Sequence, residues 1–280
     1  MDNLATPNAV RRIMESHGLH FRKSLGQNFL IDGNIRAKIV QAAEIKTGEQ
    51  VLEIGPGVGT LTQALAEAGA RVVAVEIDKQ LVEVLHHTMR AYPQVQVVQG
   101  DALHLDLNAF LPEQTGYKVV ANLPYYITSP LLMRLYEELR QPEIAVVMVQ
   151  KEVAQRLTAQ PGSKDYGALS INIAYYADAT VVANAPKTVF MPAPNVDSSV
   201  VKLTSRPFPY PAADARTFSA TVRAAFGQRR KTLRNTLRTL VNDPTAVLNA
   251  AGIDGSRRGE TLSIEEYGRL SLAVQQALDS

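Results

Sequence analysis

Between residues 50 and 150 two hydrophobic patterns alternate. Short runs of consecutive apolar positions, "QVLEIG", "RVVAVEID", "VQVVQGD", "KVVANL" and "EIAVVMVQ", are interleaved with longer stretches whose apolar residues recur every three or four positions, "TLTQALAEAG", "KQLVEVLHHTM" and "SPLLMRLYEEL". The first pattern predicts strands buried on both faces, the second helices that cover them. Strands and helices in this order build a parallel sheet layered on both sides, so the expected class is α/β with a Rossmann-like sheet.

The flanks extend this picture. "TPNAVRRIMESHG" predicts a helical N-terminal arm, with Thr6 as cap, Pro7 in the first turn and Gly18 as stop, and "IRAKIVQAAE" a second helix. "ALSINIAYYADATVVANAP" and "SSVVKLTSR" read as strands that finish the sheet, compatible with an antiparallel edge. "RPFPYPAAD", residues 206–214, has three prolines in five positions and reads as a linker. Beyond it Leu233, Leu237, Leu240 and Val241 recur at helical spacing, and "TLSIEEYGRLSLAVQQAL" predicts an amphipathic helix with a capping signal at Ser263 and Glu266. Two domains are expected, residues 1–206 around the sheet and residues 207–280 as a small helical domain.

Composition removes several kinds of chemistry. A chain of 280 residues, 46% apolar, can bury a large core, and the absence of cysteine excludes disulfides, thiolate metal sites and cysteine nucleophiles. No metal-binding pattern is present. "MDNLATPNAV" lacks an apolar signal core and "IAVVMV" is far too short to span a bilayer, so a cytoplasmic protein without membrane attachment is expected. Nothing in the chain indicates a stable oligomer, and a monomer is expected.

Net charge is only +2, but its distribution is uneven. The window 223–238 carries Arg223, Arg229, Arg230, Lys231, Arg234 and Arg238 with no acid, and Arg11, Arg12, Arg22 and Lys23 form a smaller basic group. A basic run is by default a solvated face. Arg223, Arg230, Arg234 and Arg238 are spaced by seven, four and four and share one stripe if the stretch is helical, with Gly227 as a point of interruption.

Candidate chemistry gathers at the predicted strand ends. "VLEIGPGVGTLT" places Gly55, Gly57 and Gly59 between a strand and a helix, where glycine lets the backbone bend tightly and approach a ligand. Alone this turn is weak evidence, because its G-x-G-x-G spacing departs from the dinucleotide fingerprint. The next strand ends at Glu76, where a carboxylate can accept both ribose hydroxyls, and the third is followed by Asp101, which can accept from an adenine amino group. Together they indicate an adenosine-bearing cofactor. The order resembles that of S-adenosylmethionine-dependent methyltransferases, and the loop has no basic residue of the kind a cofactor phosphate would need.

The fourth strand runs into "ANLPYYITSP". Read alone, Asn-Leu-Pro-Tyr is a turn that ends a strand. After the glycine loop and two acids it resembles the motif of methyltransferases that modify the exocyclic amine of adenine. That amine is a poor nucleophile because its lone pair is delocalised into the ring. Two acceptors on its N–H groups favour a tetrahedral nitrogen: the side-chain oxygen of Asn122 and the backbone carbonyl of Leu123. Pro124 biases Leu123 toward an extended conformation and so holds that carbonyl. Tyr125 can stack on the base, worth about 1–3 kcal/mol. Tyr126 is assigned no role.

With "KSLGQNFLID" at 23–32, "FMPAPNVDSSV" at 190–200 and "FGQRRKTLRNTL" at 226–237, the chain closely resembles the ribosomal RNA adenine dimethyltransferases, and among them the bacterial small-subunit branch, from about residue 11 to the C-terminus. The resemblance implies S-adenosylmethionine as cofactor and dimethylation of two adjacent adenines in the 3′-terminal hairpin loop of 16S ribosomal RNA, within an immature 30S subunit. It also implies that Asn28 and Leu30 meet the methionine end of the cofactor, that the Gly55 and Gly57 loop, Glu76 and Asp101 hold the rest, and that Asn122 lies at the reacting centre. Phe190 becomes a second aromatic sandwiching the base opposite Tyr125; without the resemblance it reads as core. In this setting the basic window reads as an RNA contact. The rivals are a large-subunit (23S) adenine methyltransferase conferring macrolide resistance and a non-catalytic ribosome-assembly factor on the same fold.

Overall fold

The computed structural model describes residues 3–21, 26–113, 116–228 and 230–279. Arg22, Lys23 and Arg229 of the basic groups lie outside them. The chain forms two compact units: one runs through Ala154 and includes Thr180–Ser205, the other joins Gln155–Ala179 to the chain from Arg206 onward.

In the first unit, helix α1 (Pro7–Ser16) starts at Thr6, whose hydroxyl accepts from Ala9 N, and Gly18 beyond it has φ +62°. Strand β1 (Phe29–Leu30) precedes helix α2 (Gly33–Ala42), capped by Asp32. There follow β2 (Gln50–Ile54), α3 (Thr60–Glu67), β3 (Arg71–Glu76), α4 (Lys79–Thr88), β4 (Val95–Gln99), β5 (Tyr117–Asn122), α5 (Thr128–Glu137), β6 (Ile144–Gln150) and α6 (Lys151–Leu157). Strands β2, β3, β5 and β6 are buried almost throughout, which is why they read as continuous apolar runs. The seven-stranded sheet has the order β4-β3-β2-β5-β6, then β9 (Ser198–Ser205) and β7 (Ala177–Ala185). Pairing is parallel from β4 through β6, and β9 runs antiparallel to β6 with Val147 opposite Val201. The small strand β8 (Phe190–Met191) pairs with β1. Winding proceeds outward from β2 on one side and from β5 on the other, so the connections reverse between these two strands.

The second unit holds helix α7 (Ala168–Tyr176) and, further on, α8 (Ala215–Phe226), α9 (Leu233–Thr236), α10 (Pro244–Ala250) and α11 (Ile264–Leu278). The capping signal expected at α11 is present: Ser263 N donates to Glu266 Oε2 at 2.8 Å and Glu266 N to Ser263 Oγ at 3.1 Å. The core gathers Phe218, Val222, Leu233, Leu237, Tyr267 and Leu270.

Three expectations change. "ALSINIAYY" is helix α7, not strand. Leu169 through Ile173 and Tyr176 are all buried, so no polar face marks the helical period, and an apolar run of this length fits either element. Residues 206–214 are packed, not a free linker. Phe208 stacks on Tyr175 with ring centroids 5.1 Å apart, Arg206 Nε lies 2.8 Å from Asp178 Oδ1, and Ala213 N donates to Ser271 Oγ at 3.1 Å. Proline lowers the entropy of such a segment and leaves its aromatic neighbours free to pack. The arginine stripe is also broken. Helix α8 ends at Phe226, and α9 begins only at Leu233, where Leu233 N and Arg234 N donate to the carbonyls of Arg257 and Gly255 at 2.8 and 3.1 Å. Arg223, Arg230, Lys231, Arg234 and Arg238 are all exposed, but they stand on α8, a turn, the short helix α9 and the 3-10 turn 237–239 after it instead of one face.

Candidate active site

A cleft opens at the carboxyl ends of β2 and β5, where the winding reverses and ligands of such sheets bind. It is lined by residues 26–30, 53–57, 75–77, 100–102 and 122–127, with Thr60, Leu61 and Leu81. The structure thereby brings together Asn28, Leu30, Gly55, Gly57, Glu76, Asp101, Asn122, Leu123, Pro124 and Tyr125. Phe190 does not join them. It is 3% exposed, pairs with Leu30 across β1 and β8, and packs in the core of the sheet unit.

The glycine loop and Glu76 form one device. Gly57 N donates to Glu76 Oε2 at 3.1 Å and Asp78 N to Oε1 at 3.0 Å, so backbone donors on two sides fix the carboxylate. Burial nevertheless pushes its pKa up, opposed by those two N–H groups. Gly57 has φ +61°, and a Cβ there would stand 2.7 Å from the Phe29 ring; Gly59 has φ +94°, and its Cβ would stand 2.8 Å from Met89 Cε. Both positive φ values favour glycine in this turn, and at Gly57 a side chain would also meet the Phe29 ring. Asp101 sits in a tight turn. Its Oδ1 accepts from Leu103 N at 2.9 Å and its Oδ2 lies 2.8 Å from His104 Nδ1. The Leu103 N–H, His104 and Arg134 together hold this carboxyl below the usual range.

The Asn-Leu-Pro-Tyr turn is tied down on both sides. Asn122 Nδ2 donates to the Asn28 carbonyl at 2.8 Å. Because that partner can only accept, the amide orientation is settled and Oδ1 points away from Asn28. Leu123 N donates to Met148 O at 3.1 Å, and Pro124 has φ −57° and ψ 129°. The Tyr125 hydroxyl meets Ser198 Oγ at 2.7 Å, which fixes the ring. Tyr126, 58% exposed, also lines the cleft and packs beside Gly26.

The sequence reading passed over Ser198, which tethers Tyr125, and Glu53, which lines the cleft at the end of β2. Their signals are positional: Ser198 opens a strand beside "FMPAP", and Glu53 precedes the glycine loop. Glu53 is 1% exposed, and its Oε2 has no hydrogen-bond partner. Burial pushes its pKa up to about 8, with Thr62 opposing and Glu76 adding to the rise. A neutral carboxyl tolerates this site, whereas a carboxylate would be stranded.

Among the described residues the cleft holds Glu53, Glu76 and Asp101 and no lysine or arginine. That donor set, with a glycine cradle a Cβ would fill, fits an adenosine carrying a cationic tail, such as S-adenosylmethionine, and does not suit a phosphate. No group of three or more metal-ligating side chains occurs among the described residues, and no helix there is long and apolar enough to cross a membrane.

The buried acid predicts a pH effect. Folded Glu53 keeps its proton up to about pH 8, while the unfolded chain loses it near the ordinary glutamate value of 4.5, so stability falls as pH rises through that window and levels off above it. Glu53→Gln should flatten this fall. Thermal unfolding of both proteins from pH 5 to 9 checks it, and parallel curves would rule it out.

The family model described as ribosomal RNA adenine dimethylase matches residues 18–276. The chain is 48% identical over 286 residues to ribosomal RNA small subunit methyltransferase A of Bacillus cytotoxicus, covering 98% of each, and 48% identical over 284 residues to the protein of that name in Geobacillus thermodenitrificans, covering 97% of each. Its fold is similar to a dimethyladenosine transferase from Plasmodium falciparum, with TM-score 0.75 and 28% identity over 89% of this chain and 98% of that one. It is also similar to the 23S rRNA methyltransferase ErmE, with TM-score 0.67 and 28% identity over 89% of this chain and all of the other. Matched along almost its whole length by that family model and by these relatives, the chain belongs to the ribosomal RNA adenine dimethylase family.

Proposed function

We propose that this protein transfers methyl groups from S-adenosylmethionine to the N6 amines of two adjacent adenines in the 3′-terminal hairpin loop of 16S ribosomal RNA, acting as a cytoplasmic monomer on an immature 30S subunit. The observation that carries the reading is the Asn122 Nδ2 hydrogen bond to the Asn28 carbonyl, 2.8 Å long. It leaves the amide oxygen to accept from an amine, beside a cleft whose charge suits the cofactor.

The bound cofactor supplies an electrophilic methyl on a sulfonium. The chain supplies position. Asn122 Oδ1 and the Leu123 carbonyl accept the two N–H groups of the target amine and favour a tetrahedral nitrogen with its lone pair turned outward. Pro124 keeps the carbonyl in place, and the Ser198 contact keeps the Tyr125 ring in plane for stacking on the base. Glu76, clamped by two backbone N–H groups, accepts the ribose hydroxyls, and Asp101 accepts the adenine amino group. A loop base suits this site because it costs little to unstack. No strong base is needed, since the alkylated amine is acidic enough to lose its proton to water. Catalysis is then mostly orientation and electrostatics.

The likeness to the 23S enzyme keeps a large-subunit target as the rival, while 48% identity along nearly the whole chain to small-subunit relatives favours the 30S particle. Purified 30S and 50S particles from an unmethylated strain, treated with labelled S-adenosylmethionine and read by mass spectrometry, should carry dimethyladenosine in 16S RNA alone. Label only in 23S RNA would reverse the choice.

Asn122→Ala should lower the methylation rate on the order of a hundredfold, with a much smaller loss in S-adenosylhomocysteine affinity. Near-normal turnover in single-turnover assays would sink the proposed role of the amide.

The exposed cations of the second unit supply the RNA contact. Each phosphate contact contributes roughly 0.7–0.9 to the slope of log affinity against log salt. Arg230→Ala should reduce that slope by about this amount. Arg234→Ala should reduce it by a similar amount. Titrations at several salt concentrations test both, and unchanged slopes would remove these residues from the interface.

A further inference from the structure

The turn that carries Asp101 folds on itself: His104 N and Leu105 N donate to the Asp101 carbonyl at 2.9 and 2.8 Å, and Leu103 N to its side chain. What fastens this turn to the rest of the unit is a side chain from α5. The Arg134 guanidinium donates through Nη2 to the Leu105 carbonyl at 2.7 Å and through Nη1 to the Ala102 carbonyl, and its side chain is 12% exposed. Its remaining partner, Glu138 at 3.1 Å, is exposed and adds little. Helix α5 in turn grows directly out of the Asn-Leu-Pro-Tyr turn: Ile127 N and the Thr128 hydroxyl both donate to the Pro124 carbonyl, at 3.2 and 3.1 Å. A guanidinium is a rigid fork with several donors, so it can bridge two carbonyls three residues apart while a shorter or single-donor side chain cannot.

We propose that Arg134 is a positioning residue for adenine recognition, holding the Asp101 turn at the distance from α5 that the cofactor's base requires and tying the cofactor's adenine pocket to the turn that orients the target amine. The proposal rests on the reading of Asp101 as the acceptor for the adenine amino group. Arg134 does not line the cleft; it acts through the backbone of residues 102–105 and, through its charge, on the Asp101 carboxyl itself.

The test is calorimetric titration of the full chain and of Arg134→Met with S-adenosylhomocysteine and with S-inosylhomocysteine, whose base has an oxygen in place of the amino group. Wild type should favour the adenine ligand. Arg134→Met should weaken the adenine ligand by about tenfold and the inosine ligand little, collapsing the preference. Amides of residues 103–105 should also exchange faster in the ligand-free variant. If wild type shows no preference, the reading of Asp101 falls and the proposal with it. If wild type prefers adenine and the variant keeps that preference, or loses affinity for both ligands equally, Arg134 is only structural and the reading of Asp101 stands. Arg134→Lys, which retains one donor head, should lie between the two and serves the same comparison should the methionine variant fail to fold.

Discussion

A parallel sheet wound outward from its middle cannot cover its own carboxyl edge at the point where the winding reverses. Helices that follow β2 and β5 depart to opposite sides, so the ends of these strands face an opening instead of a packed layer. Everything chemical in this unit follows from that gap. Gly55 and Asn122 become neighbours across it: a Cβ on Gly55 would lie 3.6 Å from Pro124 Cδ and 3.8 Å from the Asn122 carbonyl. Residues 67 positions apart in the sequence therefore share a wall, although no local interaction joins them.

Two of the acids at the opening, Glu53 and Glu76, are buried, which sets an electrostatic problem solved in two ways. Glu76 receives two backbone N–H groups, one from the glycine loop and one from the chain leading into α4, which support its carboxylate form. Glu53, one strand over and deeper, receives no such support at Oε2 and holds its proton instead. Burial raises both carboxyls, and the two backbone N–H groups oppose that rise only at Glu76.

Much of this arrangement was legible in the chain, and for a common reason. Strands β2, β3, β5 and β6 are buried on both faces, so they appear as continuous apolar runs, and their ends are marked by Gly55, Glu76 and Asn122. What stayed hidden depends on contacts that sequence order does not encode. Helix α7 has no polar face to reveal its period. The proline segment 206–214 reads as a linker because its aromatic partners, Tyr175 and Phe218, lie elsewhere in the chain. Ser198 and Arg134 matter through a tyrosine 73 residues away and carbonyls 32 and 29 residues away. The arginine spacing was real, but a helical stripe needs one helix, and the turn after Gly227 divides it.

The same acidity separates two tasks. Glu76 and Asp101, with no basic residue among the described lining, favour a cationic ligand and a neutral base over a phosphate. An RNA strand can therefore offer a base to this site but cannot be held there by its backbone. Holding must come from cations elsewhere. The exposed arginines and Lys231 of the second unit, nearly all without an acidic partner in their own stretch of chain, are suited to it. On the proposed reading, chemistry and grip fall to different units because one surface does not favour both a sulfonium and a polyanion.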